Sequence, residues 1–185
     1  GGNLEQFLKN LDEVNVGKSA GAIVTSANSL TLTAADLDKL NVGAMRLLSV
    51  DGGHTHGTTL NDLLFSCDVL VDGGIVIVDD FVNQFWLGVA SGTMEFVRGQ
   101  SRLVPFAWVA GVANKLVLTT SSHHQIYLDA LKSIDSKLCS THESIEVNKR
   151  HIFPKEMCIL DAITSDPKAM EPLDGLKLLR ESMSD

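Results

Sequence analysis

The chain has 185 residues, 44% of them hydrophobic and 21% charged, with a formal net charge of -8. That length suits one sizeable α/β domain rather than two, and an acidic chain repels a phosphate backbone, which argues against nucleic acid as the main partner. Cys67, Cys139 and Cys158 form no C-x-x-C pair and are odd in number, so thiols are expected rather than a disulfide framework. No apolar run is long enough to span a membrane. The opening Gly1-Gly2-Asn3-Leu4-Glu5 lacks the basic and apolar regions of a signal peptide. No membrane partner is therefore expected, and the cytoplasm is the default compartment.

Leu4, Phe7, Leu8 and Leu11 recur at helical spacing, which predicts an amphipathic helix over residues 3–14. Gly17 and Gly21 break it, and residues 22–25 read as a short buried strand. Thr33 and Asp36 are placed as N-cap and capping-box partner of a second helix. Residues 45–50 form an apolar strand that runs into Asp51-Gly52-Gly53. Leu60, Leu63, Leu64 and Cys67 predict a helix over residues 58–69. Asp72-Gly73-Gly74 reads as a turn into Ile75-Val76-Ile77-Val78, a β-branched run suited to a parallel strand buried on both faces. That run ends in Asp79-Asp80.

Residues 86–98 predict another helix. Residues 103–109 and 115–120 are two extended runs, most simply a late antiparallel pair. Residues 123–134 read as a helix that His123-His124 opens. Beyond it lies a mixed tail with helical periodicity over residues 173–183. The alternation of helices and strands implies an open, mostly parallel sheet covered by helices. Trp86 and Trp108 are expected mainly as core residues.

Ligands of such a sheet bind beyond the carboxyl ends of its strands. Asp51 closes one strand, and Asp79 and Asp80 close the next. Three carboxylates at one edge need neutralising, and a hard divalent cation such as Mg²⁺ would do so through oxygen ligands. His54 and His56 lie just beyond Asp51; imidazole there could take a proton from a substrate hydroxyl or bind a metal. The chain holds no G-x-G-x-x-G and no phosphate-binding loop motif.

Leu48-Ser49-Val50-Asp51-Gly52-Gly53-His54-Thr55-His56, then Leu60-Asn61-Asp62-Leu63, then Leu70 to Phe81 with its Gly73-Gly74 and Asp79-Asp80, together resemble the motifs, in the same order, of a class I S-adenosylmethionine-dependent methyltransferase family. The group is that of the macrocin-type sugar O-methyltransferases. The resemblance runs from about Gly2 to about Thr120 and also takes in Gly88-Val89 and Asn114-Lys115-Leu116. It implies a Rossmann-like sheet, metal ligation by Asp51, Asp79 and Asp80, His54 as general base, and Ser29 as a contact to the cofactor. His56 stands where the family has tyrosine. Family members carry two earlier strands, one with the glycine-rich cofactor loop and one ending in the acid that binds the ribose. Neither is among these residues.

The expectation is thus an α/β fold with a mostly parallel sheet that lacks its first two strands. Residues 1–120 would be a partial methyltransferase domain, and residues 121–185 a mainly helical extension. Its exposed edge implies a homo-oligomer. The expected activity is metal-assisted methyl transfer from S-adenosylmethionine to a small hydroxylated molecule. A non-catalytic, oligomerising module on a degenerate fold is the alternative, and a metal-dependent hydrolase a weaker third reading.

Overall fold

The computed structural model describes residues 4–13, 23–99, 102–111, 113–134, 139–142, 146–147, 150–151, 153 and 155–160. The elements are α1 (Leu4–Glu13), a 3-10 turn (Ser29–Thr31), α2 (Ala34–Lys39), β1 (Met45–Val50), α3 (His56–Val69), β2 (Leu70–Val78) and α4 (Leu87–Gly99). They continue with β3 (Leu103–Val109), β4 (Lys115–Thr120), α5 (His124–Ile134), β5 (Cys139–His142), β6 (Glu146–Val147), β7 (Arg150–His151) and β8 (Met157–Leu160). No described helix is long and apolar enough to cross a membrane.

The protein is α/β, built on a sheet of order β1-β2-β4-β3-β8-β5, with β6 and β7 paired separately. β1 lies parallel to β2 and β3 parallel to β8, while β4 and β5 run against their neighbours. Most strands of the sheet therefore share one direction. The β-branched run of β2 favours an extended chain, and its register sets Leu47–Val50 beside Ile75–Val78. The same residues of β2 pair antiparallel with Leu116–Thr119. β2 is thus held on both edges, and its end is fixed in space.

Side chains alternate across each strand. Val76 and Val78 of β2 and Leu116 and Leu118 of β4 are fully buried, in one cluster with Leu63 of α3 and with Val89, Phe96 and Val97 of α4. A smaller cluster joins Leu128 of α5 to Cys158 of β8. Met157 and Cys158 belong to different clusters, so α5 covers the face opposite α3 and α4.

Four departures from the sequence reading have physical causes. Gly73-Gly74 is a bulge inside β2, not a turn before it: Met45 pairs with Leu70 but Leu47 with Ile75. Gly73 has φ +75°, which glycine adopts without penalty. Residues 23–28 form no strand, and Ile23 and Val24 stay exposed; a short apolar run needs a neighbour to hold its ladder. The β3–β4 pair forms as expected, but β4 inserts between β2 and β3. The tail adds β5 and β8 to the sheet and Phe153 to the core. The helix expected over residues 173–183 lies outside the described residues. Cys67 is a half-buried thiol that burial pushes up to about 11, but Cys158 is disulfide-bonded, so the expectation of three thiols fails there.

Candidate functional site

Parallel register places the ends of β1 and β2 side by side, with Val50 opposite Val78. The Asp79 N–H donates to the Val50 carbonyl at 3.0 Å and locks the two ends together. Asp80 follows in the left-handed region, at φ 52°, a conformation a non-glycine residue holds only when its surroundings impose it. This twist sends the two neighbouring carboxylates to different partners.

Asp80 turns toward His54. Its Oδ2 lies 3.3 Å from His54 Nε2, and Asp51 Oδ1 lies 3.9 Å from the same nitrogen. One donor atom from each of Asp51, His54 and Asp80 falls within 4.8 Å of the others, an arrangement able to hold a metal ion. Side-chain exposure falls from 57% at Asp51 to 32% at Asp80 and 27% at His54, so the cluster opens to solvent on the Asp51 side. Asn83 steadies it: its Nδ2 donates to Asp80 Oδ1 at 3.0 Å, and its own Oδ1 accepts from the Phe85 N–H.

Asp79 is not part of this cluster. It is ion-paired with Lys115 at the start of β4 and accepts the Asp80 N–H. Burial by itself would raise its pKa, but the Lys115 ammonium and the Asp80 N–H hold it below the usual carboxylate range. Of the three acids expected to share a cation, the structure brings Asp51 and Asp80 together, adds His54, and engages Asp79 elsewhere.

His54 sits in the loop between β1 and α3, and both neighbours of that loop fix it. Thr55 and Thr58 cap α3 reciprocally, and Thr58 Oγ1 donates to the Gly53 carbonyl at 2.6 Å. On the other side α4 approaches through two glycines. A Cβ on Gly88 would collide with the His54 carbonyl oxygen, and one on Gly92 would lie 2.5 Å from the His56 carbonyl oxygen. The His54 ring also lies 4.7 Å from that of Trp86, tilted by 31°.

His56 belongs to a different constellation. As the first residue of α3 it reaches α4, with Nδ1 3.0 Å from Ser91 Oγ and Nε2 2.9 Å from Glu95 Oε2. Ser29 lies in the 3-10 turn, where its carbonyl accepts from Asn61 Nδ2 at 2.7 Å. Nearby Asp62 has its pKa raised by burial, a hydrogen bond with Ser29 acting against the rise, and its Oδ1 is buried without a hydrogen-bond partner. Trp108 packs edge-on against Phe81 in the core, as expected. Trp86 instead is an exposed neighbour of the cluster.

Asn83, Gly88, Gly92 and Lys115 were not singled out by sequence reasoning as shaping the site. Asn83 had a local signal, since it sits three residues after Asp80 and caps the Phe85 N–H as asparagine does in turns. The spacing of Gly88 and Gly92, one turn apart on a helix, was the signal for a close approach. Lys115 entered only through the family resemblance, and nothing local in the sequence signalled its pairing with Asp79, because only the sheet order brings β4 beside β2.

Residues 4–81 match the model of a methyltransferase domain family. The matched span is less than half of the chain, but it ends just past Asp80 and includes every residue of the cluster. The crystal structure of a "putative rRNA-methylase" from Clostridium thermocellum is similar over 62% of this chain and 66% of that one, at 15% identity and a TM-score of 0.44. The chain thus spans slightly under two thirds of that protein. No curated protein matches the chain. The match is to a methyltransferase domain in general, and for such domains S-adenosylmethionine is the general methyl donor. It does not distinguish the macrocin-type group from others.

Proposed function

We propose that the chain is an S-adenosylmethionine-dependent O-methyltransferase, and that it acts on a small hydroxylated molecule at the Asp51–His54–Asp80 cluster. The observation that carries this reading is the convergence of two carboxylates and an imidazole at paired strand ends, inside the segment that matches the methyltransferase family. Strand ends of this kind are where open α/β sheets bind ligands.

The donor set fits a divalent cation: the two carboxylates supply oxygen ligands and neutralising charge, and His54 beside them stays free to take a proton. Asp51 and Asp80 would hold such an ion, Mg²⁺ or Mn²⁺, with Asn83 fixing the angle of Asp80. A bound cation lowers the pKa of a coordinated hydroxyl and orients it. The chain's own part is to bind the acceptor hydroxyl between Asp51 and Asp80 and to receive its proton at His54 Nε2, leaving the oxygen to bond the methyl carbon as the carbon–sulfur bond breaks toward sulfur. S-adenosylmethionine supplies that methyl as a sulfonium. Ser29 is the proposed contact to it, beside the half-buried Asp62.

The free edge of β1 supports a homo-oligomer as part of this proposal. Leu47 is 59% exposed there, and among the described residues β1 pairs only with β2. The same edge favours the second reading of a non-catalytic assembly module.

Calorimetric titration of the full chain with S-adenosylmethionine, with and without Mg²⁺ or Mn²⁺, separates the two. The enzyme reading predicts saturable binding strengthened by the cation. Absence of heat at every cation concentration, together with a stable dimer, would establish the module instead.

A further inference from the structure

We propose that the segment from Val82 to Leu87 is the acceptor-recognition surface, and that the acceptor is a planar aromatic alcohol. Its hydroxyl would enter the Asp51–His54–Asp80 cluster while its ring packs on Trp86 and Phe85. The inference rests on the reading of that cluster as the methyl-acceptor site and adds the class of acceptor.

Three consecutive large apolar side chains are exposed in this segment: Phe85 at 75%, Trp86 at 45% and Leu87 at 68%, with Val82 at 49% nearby. Folding offers no reason to present such a group to water, and contiguous apolar exposure marks a binding surface. The presentation is not that of a loose loop. Asn114, itself at φ 43°, clamps the start of the segment: its carbonyl accepts the Phe81 N–H, its Oδ1 accepts the Val82 N–H, and its Nδ2 donates to the Val82 carbonyl. Asn83 accepts the Phe85 N–H on its side chain and the Trp86 N–H on its carbonyl. The backbone that carries the aromatic side chains is therefore fixed in advance, which reduces the ordering cost of binding.

The apolar surface and the polar cluster are continuous. Asn83 hydrogen-bonds both Asp80 and the backbone of Phe85, and the Trp86 ring lies against that of His54. A sugar can also stack on tryptophan, but its remaining hydroxyls need polar partners, and Val82, Phe85 and Leu87 offer apolar side chains.

The test uses the full chain without methyl donor, so that recognition is read apart from transfer. Saturation-transfer NMR would follow 1,2-dihydroxybenzene, with methyl glucoside as the polar competitor and phosphatidylcholine–phosphatidylglycerol vesicles as a lipid surface. The expected result is binding of the aromatic diol alone. Trp86→Ala should weaken it about tenfold or more, Phe85→Ser should weaken it measurably, and Trp86→Phe should restore most of it, with unchanged thermal melting for Phe85→Ser. Equal binding of the glucoside, or diol binding indifferent to both Trp86→Ala and Phe85→Ser, would overturn the inference. So would partition onto vesicles that Phe85→Ser abolishes. The calorimetric titration with S-adenosylmethionine tests the enzyme reading separately. No donor binding there beside Trp86-dependent diol binding here would overturn the enzyme reading and leave this segment as an aromatic-binding surface; donor binding without diol binding would do the reverse.

Discussion

At the scale of single residues, the site is decided by how two adjacent carboxylates are turned apart. Asp79 and Asp80 look equivalent in sequence, and three neighbouring acids suggested one shared cation. The left-handed backbone at Asp80 and the ammonium of Lys115 divide them, and neither could be read from spacing. Asn83 is the positioning residue for Asp80. Asn83→Ala should weaken Mn²⁺ binding about tenfold, the effect usual for a hydrogen-bond partner of a metal ligand, while circular dichroism melting stays nearly unchanged. Undiminished affinity in that variant would remove Asn83 from the account. Lys115→Met should raise the pKa of Asp79, which the ion pair holds down, and lower stability by about 1 kcal/mol, as for a partly exposed pair. Carboxylate NMR titration checks the first effect and urea unfolding the second.

At the scale of elements, single residues fix the placement of two helices. α4 can reach the loop carrying His54 only because Gly88 and Gly92 lack side chains. Gly88→Ala should destabilise the fold by about 1–3 kcal/mol through overpacking and shift the His54 ring resonances, whereas Gly99→Ala, where a Cβ meets nothing within 4 Å, should leave both in place. The start of α5 is tied down by His124, whose Nε2 donates to the Glu156 carbonyl at 2.8 Å. Burial lowers the pKa of His124, against the opposing effect of that hydrogen bond. As pH falls through the ordinary histidine range, the unfolded chain therefore takes up a proton that the folded chain resists, and stability declines. His124→Gln should flatten the stability profile between about pH 7 and pH 5, measured by urea unfolding at each pH. The strongly periodic helices and the β-branched strand were legible in the sequence because each buries one face by a simple repeat. The strand over residues 22–25 was misread because its apolar run has no ladder to join. β5 and β8 were missed because their pairing is set by partners far away in the chain.

At the scale of the whole molecule, the sheet brings the ends of β1 and β2 together and leaves the outer edge of β1 without a ladder among the described residues. Such an edge, with Leu47 exposed beside it, is a template for pairing with another chain. Sedimentation at micromolar concentration should report a dimer or larger species, and Leu47→Lys should shift it toward monomer; a wild-type monomer would contradict this part of the account. The fold class and the strand ends that bear the site were readable from alternation and from the acids that close two strands. The insertion of β4 was not, since nothing local distinguishes neighbours in a sheet from neighbours in sequence. The central claim is that Asp51 and Asp80 at these strand ends hold a divalent cation beside His54. Its most direct test is calorimetric titration of Mn²⁺ into the wild type and into Asp51→Asn/Asp80→Asn. The account predicts one saturable site in the wild type that the double variant loses while it still folds; identical binding curves for the two proteins, or no binding to the wild type, would contradict it.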